Sequence, residues 1–186
     1  MRIFGKILAL FALVGLAACL FSCDKTSTFT HCEMLLTLPD DYEKTSGDEP
    51  FIIYDKNGFP RVFTTSNAAS TDMIFSSEDA LITLVRISKE AALEDGIPEF
   101  LTQLDFAGYY LSQSGIDAQI ELHRDIPYYT YGLTSEEGEN FTILLTFYAT
   151  PYAYFIISYI TTADRAGEQL QSFLEIALDV GFRSID

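Results

Sequence analysis

The chain has 186 residues and a mass of 20.8 kDa, the size of one domain with a short additional segment. Its 11 basic and 27 acidic residues give a formal net charge of −16, so we expect no binding to nucleic acid or to anionic lipid headgroups. Hydrophobic residues make up 48% of the sequence, which excludes a disordered chain and suffices for a buried core. Two histidines and three cysteines leave few groups for nucleophilic or transition-metal chemistry.

The first residues have the pattern of a secretory signal. Arg2 and Lys6 precede an uncharged apolar run over residues 7–16, and small residues follow it. The sequence Leu16-Ala17-Ala18-Cys19 resembles the lipobox of bacterial lipoproteins, in which the cysteine is acylated and becomes the mature N-terminus. Because the uncharged stretch continues to Cys23, a plain secretory signal or an uncleaved anchor is the alternative.

A second lipobox candidate, Leu20-Phe21-Ser22-Cys23, ends where the polar chain begins. We therefore predict a signal peptide over residues 1–18, with Cys19 as the lipid attachment site, or over residues 1–22, with Cys23 in that role. In either case acyl chains hold the mature chain outside the cytoplasmic membrane.

The predicted domain organisation follows from this cleavage. Residues 19–28 form a lipidated tether, and residues 29–186 form a single globular domain. Removal of residues 1–18 leaves 9 basic and 27 acidic residues, a formal charge of −18.

Cys32 has two interpretations. If Cys19 carries the lipid, Cys23 and Cys32 are available for a disulfide, since the compartment outside the membrane is oxidising. The other interpretation, which the apolar pattern around Cys32 favours, is a small buried hydrophobe on a strand.

Apolar runs and turn sequences predict strands in the first part of the domain. One strand is expected over residues 29–38. Two hairpins follow, the first with Asn57-Gly58 in its turn and the second with its turn at residues 76–79.

Helical patterns come next. A short helical turn is expected at residues 88–96, and a long helix at residues 97–114, with Pro98 in its first turn and Gly115 as its C-terminal cap. The long helix is expected to bury one stripe, which consists of Ile97, Phe100, Leu101, Leu104, Ala107, Gly108 and Leu111.

Four strands and a helix are predicted for the remainder. The strands are expected at residues 118–123, 128–134, 141–149 and 153–161, and their short connections make them antiparallel. Apolar residues lie on both faces of the last two strands, so both faces need cover. Asp164 is the expected N-cap of the final helix. This order predicts an α+β fold with helices on both sides of an antiparallel sheet, an α/β/α sandwich.

The same order resembles the PsbP-like α/β sandwich, a fold that includes the photosystem II extrinsic subunit PsbP and bacterial envelope lipoproteins such as DcrB. The matching pieces are the strand ending in Leu38-Pro39-Asp40-Asp41-Tyr42, the helix after Ile97, the aromatic-rich strands over residues 128–161, and the closing helix that runs into Val180-Gly181-Phe182. The hairpin over residues 51–64 is not an obvious part of the pattern. The resemblance implies a binding or assembly factor and supplies no catalytic residue.

Residues suited to catalysis or metal binding are few and scattered. His31 and His123 are the two imidazoles, no metal-binding or phosphate-loop motif is present, and the acidic pairs are typical of solvated turns. We therefore expect no catalytic residue, no metal and no cofactor. Tyr128, Tyr129 and Tyr131 are the candidates for a recognition surface, with sheet packing as the alternative.

The sequence thus predicts a non-enzymatic envelope lipoprotein that binds another envelope protein or assists assembly. A lipoprotein that binds a small molecule or a cation for transport or sensing is the alternative, and a hydrolase is a third interpretation. A cleft lined by polar groups favours the ligand-binding alternative, whereas a flat patch of exposed tyrosines favours the assembly module.

Serine substitution at each candidate cysteine tests the lipid anchor, because diacylglyceryl transfer requires a thiol. In cells labelled with a radioactive fatty acid, Cys19→Ser abolishes incorporation and Cys23→Ser leaves it intact if Cys19 is the acceptor. The reverse result moves the site to Cys23. Label retained by a chain with both substitutions contradicts the lipoprotein interpretation.

Overall fold

A central antiparallel sheet with cover on both faces organises the protein. The computed structural model describes residues 26–46, 50–64, 71–100 and 102–184. Its strands are β1 (Thr26–His31), β2 (Met34–Pro39), β3 (Glu43–Thr45), β4 (Phe51–Tyr54), β5 (Pro60–Phe63), β6 (Met73–Ser76), β7 (Ala80–Ser88), β8 (Glu121–His123), β9 (Ile126–Thr134), β10 (Asn140–Ala149), β11 (Ala153–Thr162) and β12 (Gly181–Phe182). Its helices are α1 (Lys89–Glu94), α2 (Gln103–Ser114) and α3 (Ala166–Leu178).

The central sheet contains seven strands in the order β3-β6-β7-β11-β10-β9-β8, and every neighbouring pair is antiparallel. Strands β8 to β11 form the meander that the short connections predict. Strand β7 pairs with the far side of β11, so β10 and β11, with ten residues each, lie in the middle of the sheet.

The two faces of the sheet belong to two cores. Phe141, Ile143, Leu145 and Phe147 of β10 lie in one core, whereas Leu144 and Tyr148 lie in the other, which confirms the predicted alternation. Helices α1 and α2 and the β4–β5 hairpin cover the first face. Helix α3 and the small sheet β1-β2-β12 cover the second. The predicted α+β class, an antiparallel sheet flanked by helices, is confirmed.

The first strand differs from its prediction. Residues 29–38 are not one strand, because a turn at Cys32 separates β1 from β2. Cys32 has a φ of 51° and is exposed, so the interpretation as a buried strand residue is wrong. Strand β1 also begins at Thr26, so the end of the predicted tether belongs to the domain. A left-handed residue other than Gly or Asn leaves no turn signal in the sequence.

Glu33 explains the position of this turn. Its side chain is buried, and its carboxylate accepts hydrogen bonds from Arg86 Nε and Thr150 Oγ1, both at 3.1 Å. Burial opposes ionisation, but the backbone N–H of Glu33 and the guanidinium of Arg86 outweigh it and hold the pKa of Glu33 below its usual value. The ionised side chain thereby fixes the β1–β2 turn against β7 and the β10–β11 turn.

Both long helices begin later than predicted. Helix α2 begins at Gln103, where the Thr102 hydroxyl accepts a hydrogen bond from Asp105 N at 3.1 Å. Its buried residues are therefore Phe106 and Ala107, while Leu104 of the predicted stripe is exposed. The phase was wrong because Ile97 and Phe100 belong to the non-helical segment that precedes the helix.

The predicted cap of the last helix is also wrong. Helix α3 follows Arg165, which makes no side-chain capping hydrogen bond. The carboxylate of Asp164 instead accepts hydrogen bonds from Lys56 N at 3.1 Å and Thr162 Oγ1 at 2.7 Å. Asp164 thus connects the β4–β5 hairpin to the end of β11.

Phe147→Ala tests the core assignment. The Phe147 ring is fully buried and lies 5.8 Å from the Phe106 ring and 5.6 Å from the Tyr129 ring. We expect the substitution to lower the free energy of unfolding by about 3–5 kcal/mol, measured by urea denaturation. Leu104→Ala, on the exposed side of α2, is the control and changes it by less than about 1 kcal/mol. A Phe147→Ala midpoint equal to wild type contradicts the assignment.

Candidate functional site: an apolar groove crossed by hydroxyl groups

A groove of about 380 Å³ opens on the face of the sheet that carries α2. Strands β7, β10 and β11 form its floor, residues of α2 and β9 form one wall, and Phe63 at the end of β5 forms another side. Because α1, α2 and the β4–β5 hairpin each cover a different part of this face, the floor between them stays open among the described residues. The half-buried Val85 and Ile87 mark this gap.

The strand register arranges the floor in rows. Thr83 of β7 pairs with Ser158 of β11, and Ser158 pairs with Leu145 of β10. The row on one side pairs Val85 with Ile156, and the row on the other contains the apolar pair Ile160 and Ile143. Two hydroxyl groups therefore lie side by side between two apolar rows.

Both hydroxyls, those of Thr83 and Ser158, line the groove without a hydrogen-bond partner among the described residues. Polar groups inside proteins are usually hydrogen-bonded, so hydroxyls open to a groove are available to a bound molecule. The floor thus offers apolar contact on both sides of a hydrogen-bonding centre.

Three phenol groups lie on the α2 side of this row, beyond Leu145. Tyr129 lies opposite Leu145 and is fully buried, and its hydroxyl interacts with the side chain of Ser114 on α2. Tyr110 and Tyr131, which line the groove, interact with it electrostatically. Burial raises the pKa of all three phenols, which therefore remain neutral donors at physiological pH.

The predicted recognition surface of Tyr128, Tyr129 and Tyr131 is not formed. Tyr128 and Tyr129 are neighbours on β9, so they point to opposite faces and are buried in different cores. The Tyr128 hydroxyl donates a hydrogen bond to Glu121 at 2.8 Å. Tyr131 alone of the three lines the groove.

The other predicted site residues are separated or untested. Cys19 and Cys23 lie outside the described residues, so the lipid site and the Cys23–Cys32 disulfide stay predictions. His31 Nε2 lies 3.7 Å from the carboxylate of Asp72, whereas His123 lies on β8 at an edge of the central sheet.

Two kinds of feature are absent from the described part of the chain. No group of three or more His, Cys, Asp or Glu side chains is placed to hold a metal ion. No helix there has both the length and the apolar character needed to cross a membrane.

The groove was not predicted from the sequence. The available signal was a hydroxyl residue with large apolar or aromatic neighbours on both sides in each of two strands, Thr83 in β7 and Ser158 in β11. Their placement in one row depends on the register between strands that are distant in sequence, which residue spacing does not reveal.

A charged cluster holds the β4–β5 hairpin next to the groove. The buried Asp55 carboxylate accepts hydrogen bonds from the backbone N–H groups of Asn57 and Phe59, both at 2.9 Å, and from the Arg61 guanidinium at 2.7 Å. The Phe59 N–H and then Arg61 lower the pKa of Asp55. Glu139 adds a 2.6 Å hydrogen bond from Val62 N. The cluster fixes the hairpin that borders the groove.

The fold of the chain is similar to several solved structures. A crystal structure of a protein from Bacteroides thetaiotaomicron VPI-5482 aligns with a TM-score of 0.53 and 12% identity. The alignment covers 84% of this chain and 48% of the Bacteroides protein, so this chain spans about half the length of that protein. Cyanobacterial PsbP from Synechocystis sp. PCC 6803 aligns with a TM-score of 0.48 and 12% identity, over 88% and 95% of the two chains. LpqN, involved in cell envelope biogenesis of Mycobacterium tuberculosis, aligns with a TM-score of 0.38 and 13% identity, over 86% and 91%.

A PsbP structure is thus among those to which this chain is similar. At these identities the likeness concerns the fold alone. No protein-family model and no curated protein matches the sequence.

Asp55→Asn tests the charged cluster through pH. The lowered pKa of Asp55 means that the folded state favours the ionised carboxylate. The ionised carboxylate therefore stabilises the fold above about pH 4, and this stabilisation is lost as the pH falls through the pKa that Asp55 has in the folded state. We expect Asp55→Asn to unfold at a lower temperature than wild type at about pH 7, and the difference to shrink below about pH 4. Asp117→Asn, at an exposed position without hydrogen bonds to described residues, is the control. A difference that stays constant with pH contradicts the assignment.

Proposed function

We propose that this protein is a non-enzymatic, lipid-anchored envelope protein whose groove binds an uncharged, largely apolar small molecule. The observation that carries the proposal is the pair of hydroxyls of Thr83 and Ser158, which have no hydrogen-bond partner among the described residues and lie among branched apolar side chains on the groove floor. Ligand sites combine an apolar lining with a few placed polar groups in volumes from about 300 Å³ upward. The groove, at about 380 Å³, fits that description.

The lining indicates the charge of the ligand. None of the described residues that line the groove is charged. An ionised group placed against this floor would lose its hydration without gaining a partner, at a cost of several kcal/mol. The ligand is therefore neutral, and the cation-binding alternative finds no support at this site.

The same lining favours binding over catalysis. General acid–base catalysis at neutral pH works best with a group whose pKa lies near 7. The groove instead presents aliphatic hydroxyls and the phenols of Tyr110 and Tyr131, whose pKa values are raised by burial. These groups supply hydrogen bonds to a ligand rather than proton transfer.

The placement of the protein in the envelope rests on the sequence. If the lipid is attached at Cys19, six residues separate it from Thr26, the start of β1. An extended chain of that length spans at most about 25 Å, and attachment at Cys23 makes it shorter still. The domain would then lie close to the bilayer, where apolar molecules accumulate.

The uncharged fluorophore N-phenyl-1-naphthylamine tests the groove. We expect a chain that begins at Asp24, once a cooperative thermal transition shows that it folds, to bind one equivalent with saturable fluorescence enhancement. Val85→Phe extends a ring over the floor and weakens binding at least about tenfold, because the ligand and the new ring occupy the same space. Titrations followed by fluorescence measure both.

Two comparisons make this test specific. Leu122→Phe, on exposed β8 and outside the groove, keeps wild-type affinity. Leu133→Arg, at the exposed rim of the groove, weakens binding with little effect on the fold. Equal affinity of Val85→Phe, Leu133→Arg and wild type would sink the proposal.

A further inference from the structure

The outer face of the β4–β5 hairpin carries a second apolar surface, on the side turned away from the core. Ile52, Tyr54 and Val62 are 54%, 37% and 38% exposed, and Phe59 in the turn is 60% exposed. The register pairs Ile52 with Val62 and Tyr54 with Pro60, so these side chains are contiguous. We refer to Ile52, Tyr54, Phe59, Pro60 and Val62 as the hairpin patch. Contiguous exposed apolar surface of this kind usually marks an interaction site.

The hairpin patch is held in place rather than loosely attached. The opposite side of the hairpin buries Phe51, Ile53 and Phe63 in the core. The Asp55 cluster fixes its turn, and Tyr54 N donates a 2.8 Å hydrogen bond to Glu78 O on the neighbouring turn. A partner therefore meets an ordered surface, which reduces the entropic cost of binding.

Carboxylates border the hairpin patch on one side. A depression of about 520 Å³ is lined by Ile52 and Tyr54 and also by Asp41, Glu43, Glu78 and Asp79. Asp79 is paired with Arg165 at 2.9 Å. The other three carboxylates have no ion pair with any described residue. The surface thus combines an apolar strip with uncompensated negative charge beside it.

We propose that the hairpin patch and its acidic border dock a segment of another protein that is apolar along one side and carries Lys or Arg next to it. Charge complementarity selects this occupant over the others. A second copy of the chain, with its formal charge of −16, would be repelled, and anionic lipid would be repelled by the same carboxylates. The apolar strip provides the affinity, and the carboxylates select the partner and its orientation.

Photo-crosslinking on the full chain, held by its N-terminal segment in phosphatidylcholine nanodiscs, tests the proposal. The probe is a short peptide of alternating lysine and valine, and p-benzoylphenylalanine replaces Phe59. We expect a peptide adduct, detected by mass spectrometry, whose yield saturates with peptide concentration. The same photoreactive residue in place of Leu122, at the opposite edge of the central sheet, is the matched control and gives no saturable adduct.

Charge variants separate docking from nonspecific contact. Glu43→Gln together with Glu78→Gln raises the half-saturating peptide concentration about tenfold, as does an increase in salt from about 50 mM to about 500 mM. A peptide with glutamate in place of lysine gives no adduct. Both glutamates are exposed, so the double variant should keep the wild-type thermal unfolding temperature.

Three results overturn the proposal. They are a saturable adduct of equal yield at position 122, an adduct at position 59 that does not respond to the charge variants, and a lipid adduct in place of the peptide at position 59. The last result would show that the hairpin patch faces the membrane. Because this surface is separate from the groove, binding of the uncharged fluorophore is unaffected by any of these outcomes.

Discussion

Strands β10 and β11 are apolar on both faces, and the rest of the structure depends on the need to cover both. Their alternate residues belong to two separate cores, so one layer of cover cannot keep the sheet from water. Each buried large apolar side chain contributes about 1.5–3 kcal/mol, which makes the second layer as important as the first. The chain supplies one layer from α1, α2 and the β4–β5 hairpin, and the other from α3 and the β1-β2-β12 sheet.

Polar contacts fix the covering elements in position. Glu33 holds the β1–β2 turn against Arg86, and Asp55 holds the β4–β5 hairpin through Arg61. Both carboxylates are buried, so loss of Arg86 or Arg61 would leave a buried charge without its ion-pair partner. The free-energy cost of such a charge is far larger than the stabilisation that an exposed ion pair provides. These clusters thus act on the orientation of the layers, while the apolar contacts supply most of the stability.

Among the described residues the cover over the first core is incomplete, and the two proposed binding surfaces follow from that. Where α2 and the hairpin do not meet, hydroxyls at Thr83 and Ser158 face an open apolar groove. Where the hairpin turns its second side outward, apolar residues lie next to unpaired carboxylates. One surface suits a small neutral molecule and the other a basic protein segment. The same hairpin borders both, so the element that least resembles the PsbP-like pattern in the sequence carries much of the proposed binding.

The sequence by itself determined what depends on near neighbours. Asn57-Gly58 predicts its hairpin, and the alternation in β10 assigns Phe147 to the core, because turn geometry and side-chain direction are local properties. The tertiary structure alone decided the left-handed turn at Cys32 and the groove. Each of these is set by contacts between distant segments, as in the register that brings Thr83 beside Ser158 across 75 positions of the sequence. Residue order does not display such contacts, since strand pairing and the extent of cover are decided by packing of the whole chain.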